Sequence, residues 1–122
     1  MLNPYLQVAI GGAIGSVARF AVYRVVPFQG FPLATLLVNV VGSLVMGLVA
    51  ALVTQRLGME WAPFLMTGIL GGFTTFSAFS LDALALWERG PMGLLAVYVA
   101  GSVLLSMAAV FVGITIGRSV FA

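Results

Sequence analysis

The stretch Gly71–Ser80, with the sequence GGFTTFSAFS, decides how this chain is interpreted. It lies at the centre of a segment, from about Trp61 to Trp87, that is long and apolar enough to cross a membrane. Paired glycines, four hydroxyl side chains and three phenylalanines are unusual in the middle of a bilayer. Backbone that is not helical occurs at that depth only where protein buries it or where it lines a wet cavity. The stretch therefore predicts a helix that is broken at a functional site.

The composition indicates an integral membrane protein. Hydrophobic residues make up 62% of the 122 residues and charged residues only 7%, whereas a soluble domain has roughly 25% charged residues. The chain has no Cys and no His, which excludes disulfides, thiolate and imidazole chemistry and most transition-metal sites. Five basic residues against three acids are scattered along the sequence. We therefore expect neither a nucleic-acid-binding patch nor an enzyme with paired carboxylates.

The hydrophobic pattern predicts an all-α fold of four transmembrane helices, which form a single domain over residues 1–122. The predicted spans run from about Tyr5 to Val26, Pro32 to Gln55, Trp61 to Trp87 and Met92 to Gly117. Each supplies the roughly 20 residues that a bilayer requires. Pro32 suits the first turn of its helix. Trp61 and Trp87 stand at the two ends of one span, as interfacial aromatic residues do.

Small and polar residues repeat at helical spacing in three of these spans. The repeating residues are Gln7, Gly11, Gly15 and Arg19 in the first span, Thr35, Asn39, Gly42, Ser43 and Gly47 in the second, and Tyr98, Ser102, Ser106, Ala109 and Gly113 in the fourth. Residues so spaced share one face of a helix. They indicate either close packing of membrane helices or a polar track through the bundle. Asn39 favours the track, because an amide deep in a span requires a partner or water.

The arginines give almost no preference for one orientation in the membrane. Arg56 and Arg118 lie on the side of the chain termini, Arg24 and Arg89 lie on the opposite side, and Arg19 is deeper. Since an excess of basic residues normally marks the cytoplasmic side, this chain is expected to insert in both orientations. Two opposed copies could then form a self-complementary dimer.

Several blocks of sequence resemble the Fluc (CrcB) family of bacterial fluoride channels over nearly the whole chain. The blocks are GGAIG at 11–15 with Arg19, TLLVN at 35–39 with Gly42 and Gly47, GGFTTFSAFSLD at 71–82, and Gly101-Ser102. The third block is the specific one. The resemblance implies passive export of toxic fluoride across the bacterial inner membrane, and hence fluoride resistance. It further implies antiparallel dual-topology homodimers within the lipid, with two pores lined by both subunits.

The resemblance also implies roles for particular residues. The pore positions of the family correspond here to Phe76, Phe79, Asn39, Ser77, Ser80, Ser102 and Thr35. Backbone carbonyls of Gly71 and Thr74 correspond to those that hold a central, structural sodium ion. Many relatives have Thr or Ser where this chain has Ala78, so one hydroxyl of the track is absent.

The chemistry of these residues suits fluoride. The ion is small and strongly hydrated, so a pore must replace its water with donors such as hydroxyl and amide groups. The edge of a phenyl ring carries the positive part of its quadrupole and attracts an anion without a fixed charge. Conduction requires sites that bind weakly enough to release the ion. From the residues alone, however, ordinary core packing is the favoured interpretation of Phe76 and Phe79, and the pore role rests on the resemblance.

Arg19 and Asp82 are predicted near the same membrane face. They form either an ion pair with each other or, in the case of Arg19, an anion attractor in a vestibule.

Three other functions are alternatives to a fluoride channel. A dual-topology exporter of the small multidrug resistance type requires an acid inside the first span, where this chain has none. A purely structural protein would leave the stretch Gly71–Ser80 unexplained. A fluoride/proton antiporter is disfavoured because no deep titratable relay is present.

Overall fold

The computed structural model describes residues 2–122, and this part of the chain is helical with no strand. The first two spans are α1 (Pro4–Val25) and α2 (Leu33–Leu52). The second span continues beyond α2 in the π-helical turn Val53–Leu57. The third comprises the 3-10 turn Met59–Trp61, the π-helical Pro63–Leu70, the short α3 (Gly71–Phe73) and α4 (Phe76–Arg89). The fourth span is α5 (Met92–Val120). All four are long and apolar enough to cross a membrane, as predicted.

Local chemistry sets the ends of the helices. The Oδ1 atom of Asn3 accepts a hydrogen bond from the amide of Tyr5 over 2.7 Å, which caps α1. Pro32 stands at the N-cap of α2 and not in its first turn, because its ψ of 68° is not helical. The second and third spans are joined through Gly58, whose φ of 101° is readily adopted only by glycine.

Glycines bring the helices together in two closely packed pairs. A Cβ on Gly15 of α1 would collide with the carbonyl oxygen of Ile69, and one on Gly72 would come within 2.8 Å of the carbonyl oxygen of Gly12. The first half of the third span thus lies directly on the backbone of α1. Likewise Gly47 of α2 lies against the backbone of α5. Such close backbone approach replaces the hydrophobic effect, which lipid does not provide.

The buried residues lie on the faces that the sequence predicts. They include Gln7, Gly11 and Gly15 in α1, Thr35, Gly42 and Gly47 in α2, and Tyr98, Ser102 and Gly113 in α5. The main buried apolar cluster is small and consists of Phe79, Leu86 and Tyr98. Most other large apolar side chains point outwards, as expected of helices that lipid surrounds.

Candidate functional site

The third span is broken at Thr74 and Thr75, near its middle. Both residues have extended backbone, with ψ values of 159° and 126°. Thr75 then caps the next helix, because its hydroxyl oxygen accepts a hydrogen bond from the amide of Ala78 over 3.1 Å. Gly71, just before the break, is helical. The predicted broken helix is therefore confirmed, and the break is two residues long, with Phe76 already inside α4.

Asn39 of α2 contacts this break with both ends of its side-chain amide. Its Oδ1 atom accepts from the amide nitrogen of Thr75 over 2.8 Å, and its Nδ2 atom donates to the carbonyl oxygen of Thr75 over 2.9 Å. In a continuous helix the amide of Thr75 would donate to the carbonyl of Gly71. The carbonyl oxygens of Gly71 and Thr74 have no hydrogen-bond donor among residues 2–122.

A cavity of about 390 Å³ opens beside the break, between α2, α4 and α5. Its wall includes Asn39, Phe76, Phe79 and Ser102, which are four of the seven predicted pore residues. Ser102 is 6% exposed, and its hydroxyl oxygen has no hydrogen-bond partner in the described part of the chain. Buried polar groups are nearly always hydrogen-bonded. The hydroxyl of Ser102 thus retains a hydrogen-bond donor that no other residue of the described chain uses.

The two phenylalanines of the cavity have different surroundings. Phe76 is 76% exposed whereas Phe79 is 9% exposed, and their ring centroids lie 5.4 Å apart. The ring of Phe79 also packs on Tyr98, at 5.2 Å between centroids. Core packing thus accounts for the position of Phe79, but it does not account for the exposed ring of Phe76.

Thr35 lies away from this cavity, in a chain of four hydrogen-bonded side chains. It donates to Oδ2 of Asp82 over 2.6 Å, and Tyr98 donates to the same oxygen over 3.1 Å. The hydroxyl of Tyr23 lies 2.9 Å from Oγ1 of Thr35. Because the only hydroxyl hydrogen of Thr35 goes to Asp82, Thr35 must accept from Tyr23. A second cavity, of about 230 Å³, opens onto Tyr23, Thr35, Ala78 and Asp82.

Arg19 and Asp82 do not form the ion pair that the sequence suggests. The Nε atom of Arg19 donates to the carbonyl oxygen of Gly72 over 3.1 Å. Asp82 instead accepts from hydroxyls of α2 and α5. The ion-pair prediction is wrong because each group meets a different partner across the bundle. The role of Arg19 as an anion attractor stays a prediction.

Ser77 and Ser80 are exposed on α4 and line neither cavity of the single chain. The hydroxyl of Ser80 donates to the carbonyl oxygen of Phe76 over 2.9 Å. The hydroxyl oxygen of Ser77 lies 3.2 Å from that of Thr75. Their place in a pore stays a prediction, as does that of Thr35.

Sequence reasoning did not assign four residues of these networks and cavities to the site, namely Thr75, Tyr23, Tyr98 and Ser106. Thr75 belongs to the quoted stretch, but its peptide pairs with a residue 36 positions away, which no local pattern indicates. Tyr23 lies on α1 four residues after Arg19, so the spacing of the first span continues to it and was the signal that could have included it. The fourth-span spacing does place Tyr98 and Ser106 on the polar face, and this was the signal that could have assigned them to the site.

Comparison with known proteins agrees with the sequence motifs. The chain matches the family described as CrcB-like protein, Camphor Resistance (CrcB), over residues 6–114. It is 57% identical to the fluoride-specific ion channel FluC of Paracoccus denitrificans, over 100% of both chains. It is 52% identical to the protein of the same name from Agrobacterium fabrum, over 99% of this chain and 100% of the relative. A third FluC, from Rhizobium etli, is 54% identical over 93% of this chain and 95% of the relative. The resemblance that the motifs indicate is thus confirmed, and this chain belongs to the CrcB family.

Proposed function

We propose that this protein is a fluoride-selective channel, a transporter and not an enzyme, through which toxic fluoride leaves the cell passively. One observation carries the proposal: Ser102, whose buried hydroxyl has no partner in the described chain, lines the same cavity as Asn39 and the two phenylalanines. The names of the relatives support fluoride as the transported ion.

The cavity offers donors but no fixed charge. The Nδ2 atom of Asn39 carries two hydrogens, and only one of them is used on Thr75. Ser102 offers its hydroxyl hydrogen, and the edge of the Phe76 ring offers the positive part of its quadrupole. None of the residues that line the cavity is charged. Fluoride would therefore be solvated without being trapped, which conduction requires.

We also propose that the working unit is an antiparallel, dual-topology homodimer with two pores. Phe76 is largely exposed on the single chain, and the cavity beside it would be completed by a second copy. Gly71 is exposed, and a Cβ built on it would meet its nearest heavy atom only at 3.5 Å. Packing within one chain therefore does not require glycine there, whereas close approach of a partner would.

A structural sodium ion fits the break of such a dimer. The carbonyls of Gly71 and Thr74 are unpartnered within residues 2–122, and the same residues contain no cluster of acids or other metal-binding side chains. Hard cations prefer oxygen ligands, and carbonyls of unwound helices supply them in membranes. Two carbonyls from each of two chains would give four ligands. When bound, the ion would link the two breaks and supply positive charge between the two anion paths.

The protein is proposed to reside in the bacterial inner membrane as a multi-pass protein in contact with lipid. Four apolar spans and outward-facing apolar side chains support a membrane location. The near balance of arginines on the two sides supports insertion in both orientations.

Flux from liposomes tests the proposed function. Vesicles that contain the purified protein are loaded with potassium fluoride or potassium chloride, and efflux is started with a potassium ionophore. We expect rapid fluoride efflux that depends on the ionophore, and chloride efflux at the level of empty vesicles. Comparable chloride flux would refute selectivity. Fluoride efflux without ionophore, accompanied by a change in internal pH, would instead indicate proton-coupled transport.

A further inference from the structure

Nothing in the covalent backbone forces the third span to break at Thr74 and Thr75. The two residues are not followed by a proline, and neither has a positive φ. The only positive-φ glycines in residues 2–122 are Gly30 and Gly58, both in loops. In a membrane, a backbone that leaves helical geometry must find other partners for its polar groups. The break therefore depends on the side chains that supply those partners.

Four helical hydrogen bonds, from the amides of residues 75–78 to the carbonyls of residues 71–74, are absent at the break, and side chains of other helices bind one polar group from each of the first two. A continuous helix would pair the amide of Thr75 with the carbonyl of Gly71, and the amide of Phe76 with the carbonyl of Gly72. Asn39 takes the amide of Thr75, and Arg19 takes the carbonyl of Gly72.

Asn39 is the stronger of the two restraints because it bonds both polar groups of one residue. Its oxygen meets an N–H group at 2.8 Å and its nitrogen meets a carbonyl at 2.9 Å. If the Asn39 amide were turned over, its NH2 group would face the Thr75 N–H and its oxygen would face the Thr75 carbonyl. The hydrogen bonds therefore fix which atom of the Asn39 amide is oxygen and which is nitrogen. In a medium of low dielectric constant two such bonds are stronger than in water.

We propose that Asn39 is a positioning residue that holds the third helix broken. Its pairing with Thr75 keeps the carbonyl of Gly71 free for a cation and sets Phe76 at the start of α4, beside the cavity. Loss of this pairing lets the backbone at Thr75 return to helical geometry, in which the Gly71 carbonyl is used internally. This inference rests on the proposed function and gives Asn39 a role in addition to donating a hydrogen bond to fluoride.

The direct test is the backbone conformation of Thr74 and Thr75 in Asn39→Leu. Leucine is close to asparagine in shape, cannot form either bond and is well tolerated in a membrane helix. The 13Cα chemical shifts of both threonines, measured by NMR in micelles, should be those of extended residues in the natural protein. In Asn39→Leu they should move towards helical values. Threonine shifts that stay extended in this variant would overturn the proposal.

A second variant and a second readout keep the test independent of folding and of flux. Asn39→Asp keeps the acceptor for the Thr75 amide but places an oxygen opposite the Thr75 carbonyl. The 13Cα shifts of Thr74 and Thr75 in this variant should therefore lie between those of the natural protein and those of Asn39→Leu. The second readout is the rise in unfolding temperature when N-methylglucamine chloride is replaced by sodium chloride at equal ionic strength. We expect the rise in the natural protein and its disappearance in Asn39→Leu.

Ser102→Ala is the matched control, because Ser102 lines the same cavity but makes no bond to the break. It should lose fluoride flux and keep both the extended threonine shifts and the sodium response. If Asn39→Leu behaves like Ser102→Ala in every readout, Asn39 is only a pore donor and the proposal is wrong. Absence of fluoride flux in the natural protein would refute the channel function, whereas the chemical shifts would still decide the role of Asn39.

Discussion

Thr35 donates a hydrogen bond to Oδ2 of Asp82 across 2.6 Å, and this contact joins α2 to α4. The same oxygen receives the hydroxyl of Tyr98 from α5, and Tyr23 extends the chain to α1. One carboxylate thus holds hydroxyls from separate spans on the half of the bundle that contains the loop between α1 and α2. Asp82 therefore stabilises the fold whatever else it does.

We expect Asp82→Ala to lower the free energy of unfolding by about 3 kcal/mol, since two bonds to a charged acceptor are lost and two hydroxyls stay behind without a partner. Asp82→Asn keeps an acceptor oxygen and should lose about half as much. Tyr23→Phe removes only the outermost hydroxyl, and about 1 kcal/mol is expected. Equilibrium unfolding in mixed micelles measures the free energy of unfolding of all three variants. Equal losses for the alanine and asparagine variants would contradict this account.

Phe76→Ile and Phe79→Ile separate a role in the pore from a role in packing. Both variants lose the ring edge, so both should reduce fluoride flux severely. Phe76 is exposed on the single chain, and its variant should unfold like the natural protein apart from effects on the dimer. Phe79 packs on Tyr98, and its variant should lose roughly 1 kcal/mol of stability. Liposome flux and unfolding provide the two measurements, and normal flux in both variants would assign the rings to packing alone.

The spans could be predicted from sequence because apolar length is a local property. The exact position of the break in the third span could not be predicted from sequence. The pair Gly71-Gly72 is the more conspicuous local signal, yet Gly71 is helical and the backbone departs at Thr74. The reason is tertiary, since Asn39 on another helix takes the amide of Thr75. Thr75 as an N-cap was the only local signal for the start of α4.

The candidate site could likewise be predicted only in part, because helical spacing is a local property and contacts between helices are not. Asn39 and Ser102 lie on helical faces that the spacing identifies, and the structure brings them to one cavity. Spacing cannot show which donors are already used within the chain. The family resemblance groups Thr35 with the pore hydroxyls, and the structure adds that its hydrogen goes to Asp82. Arg19 was considered as a partner for Asp82, although its Nε atom donates to the carbonyl oxygen of Gly72.

Ser102→Ala should reduce fluoride flux with little change in stability. Its hydroxyl is buried without a partner, so removing it breaks no bond and relieves a desolvated polar group. Thr115→Ala in the same helix is the control, because that hydroxyl bonds the carbonyl of Phe111 and is exposed. The control should conduct normally. A loss of stability of more than about 1 kcal/mol in Ser102→Ala would show that the hydroxyl has a structural partner.

Gly15→Ala should disrupt the packing of α1 on the third span. The added methyl group would meet the carbonyl oxygen of Ile69 in the backbone, which cannot move aside as a flexible side chain could. Overpacking of this kind costs about 1–3 kcal/mol. Gly12→Ala is the matched control, because no heavy atom lies within 4 Å of the added carbon. Unfolding temperatures of the two variants compare them directly, and an equal loss would contradict the packing described here.

The balance of arginines predicts that a few added charges decide the orientation of the chain. Arg56 and Arg118 lie on the side of the termini, and Arg24 and Arg89 lie opposite, where each is held near an aromatic ring. Lysines added after Ala122 should fix the termini in the cytoplasm, and lysines added within residues 27–30 should fix them outside. Because an antiparallel dimer requires one chain of each orientation, neither variant alone should protect cells from fluoride. Their co-expression should restore resistance, and the accessibility of single cysteines introduced at the termini should report the orientation of each chain. Full protection by either fixed variant alone would refute the antiparallel dimer, and the pore roles that require two opposed chains would then be refuted with it.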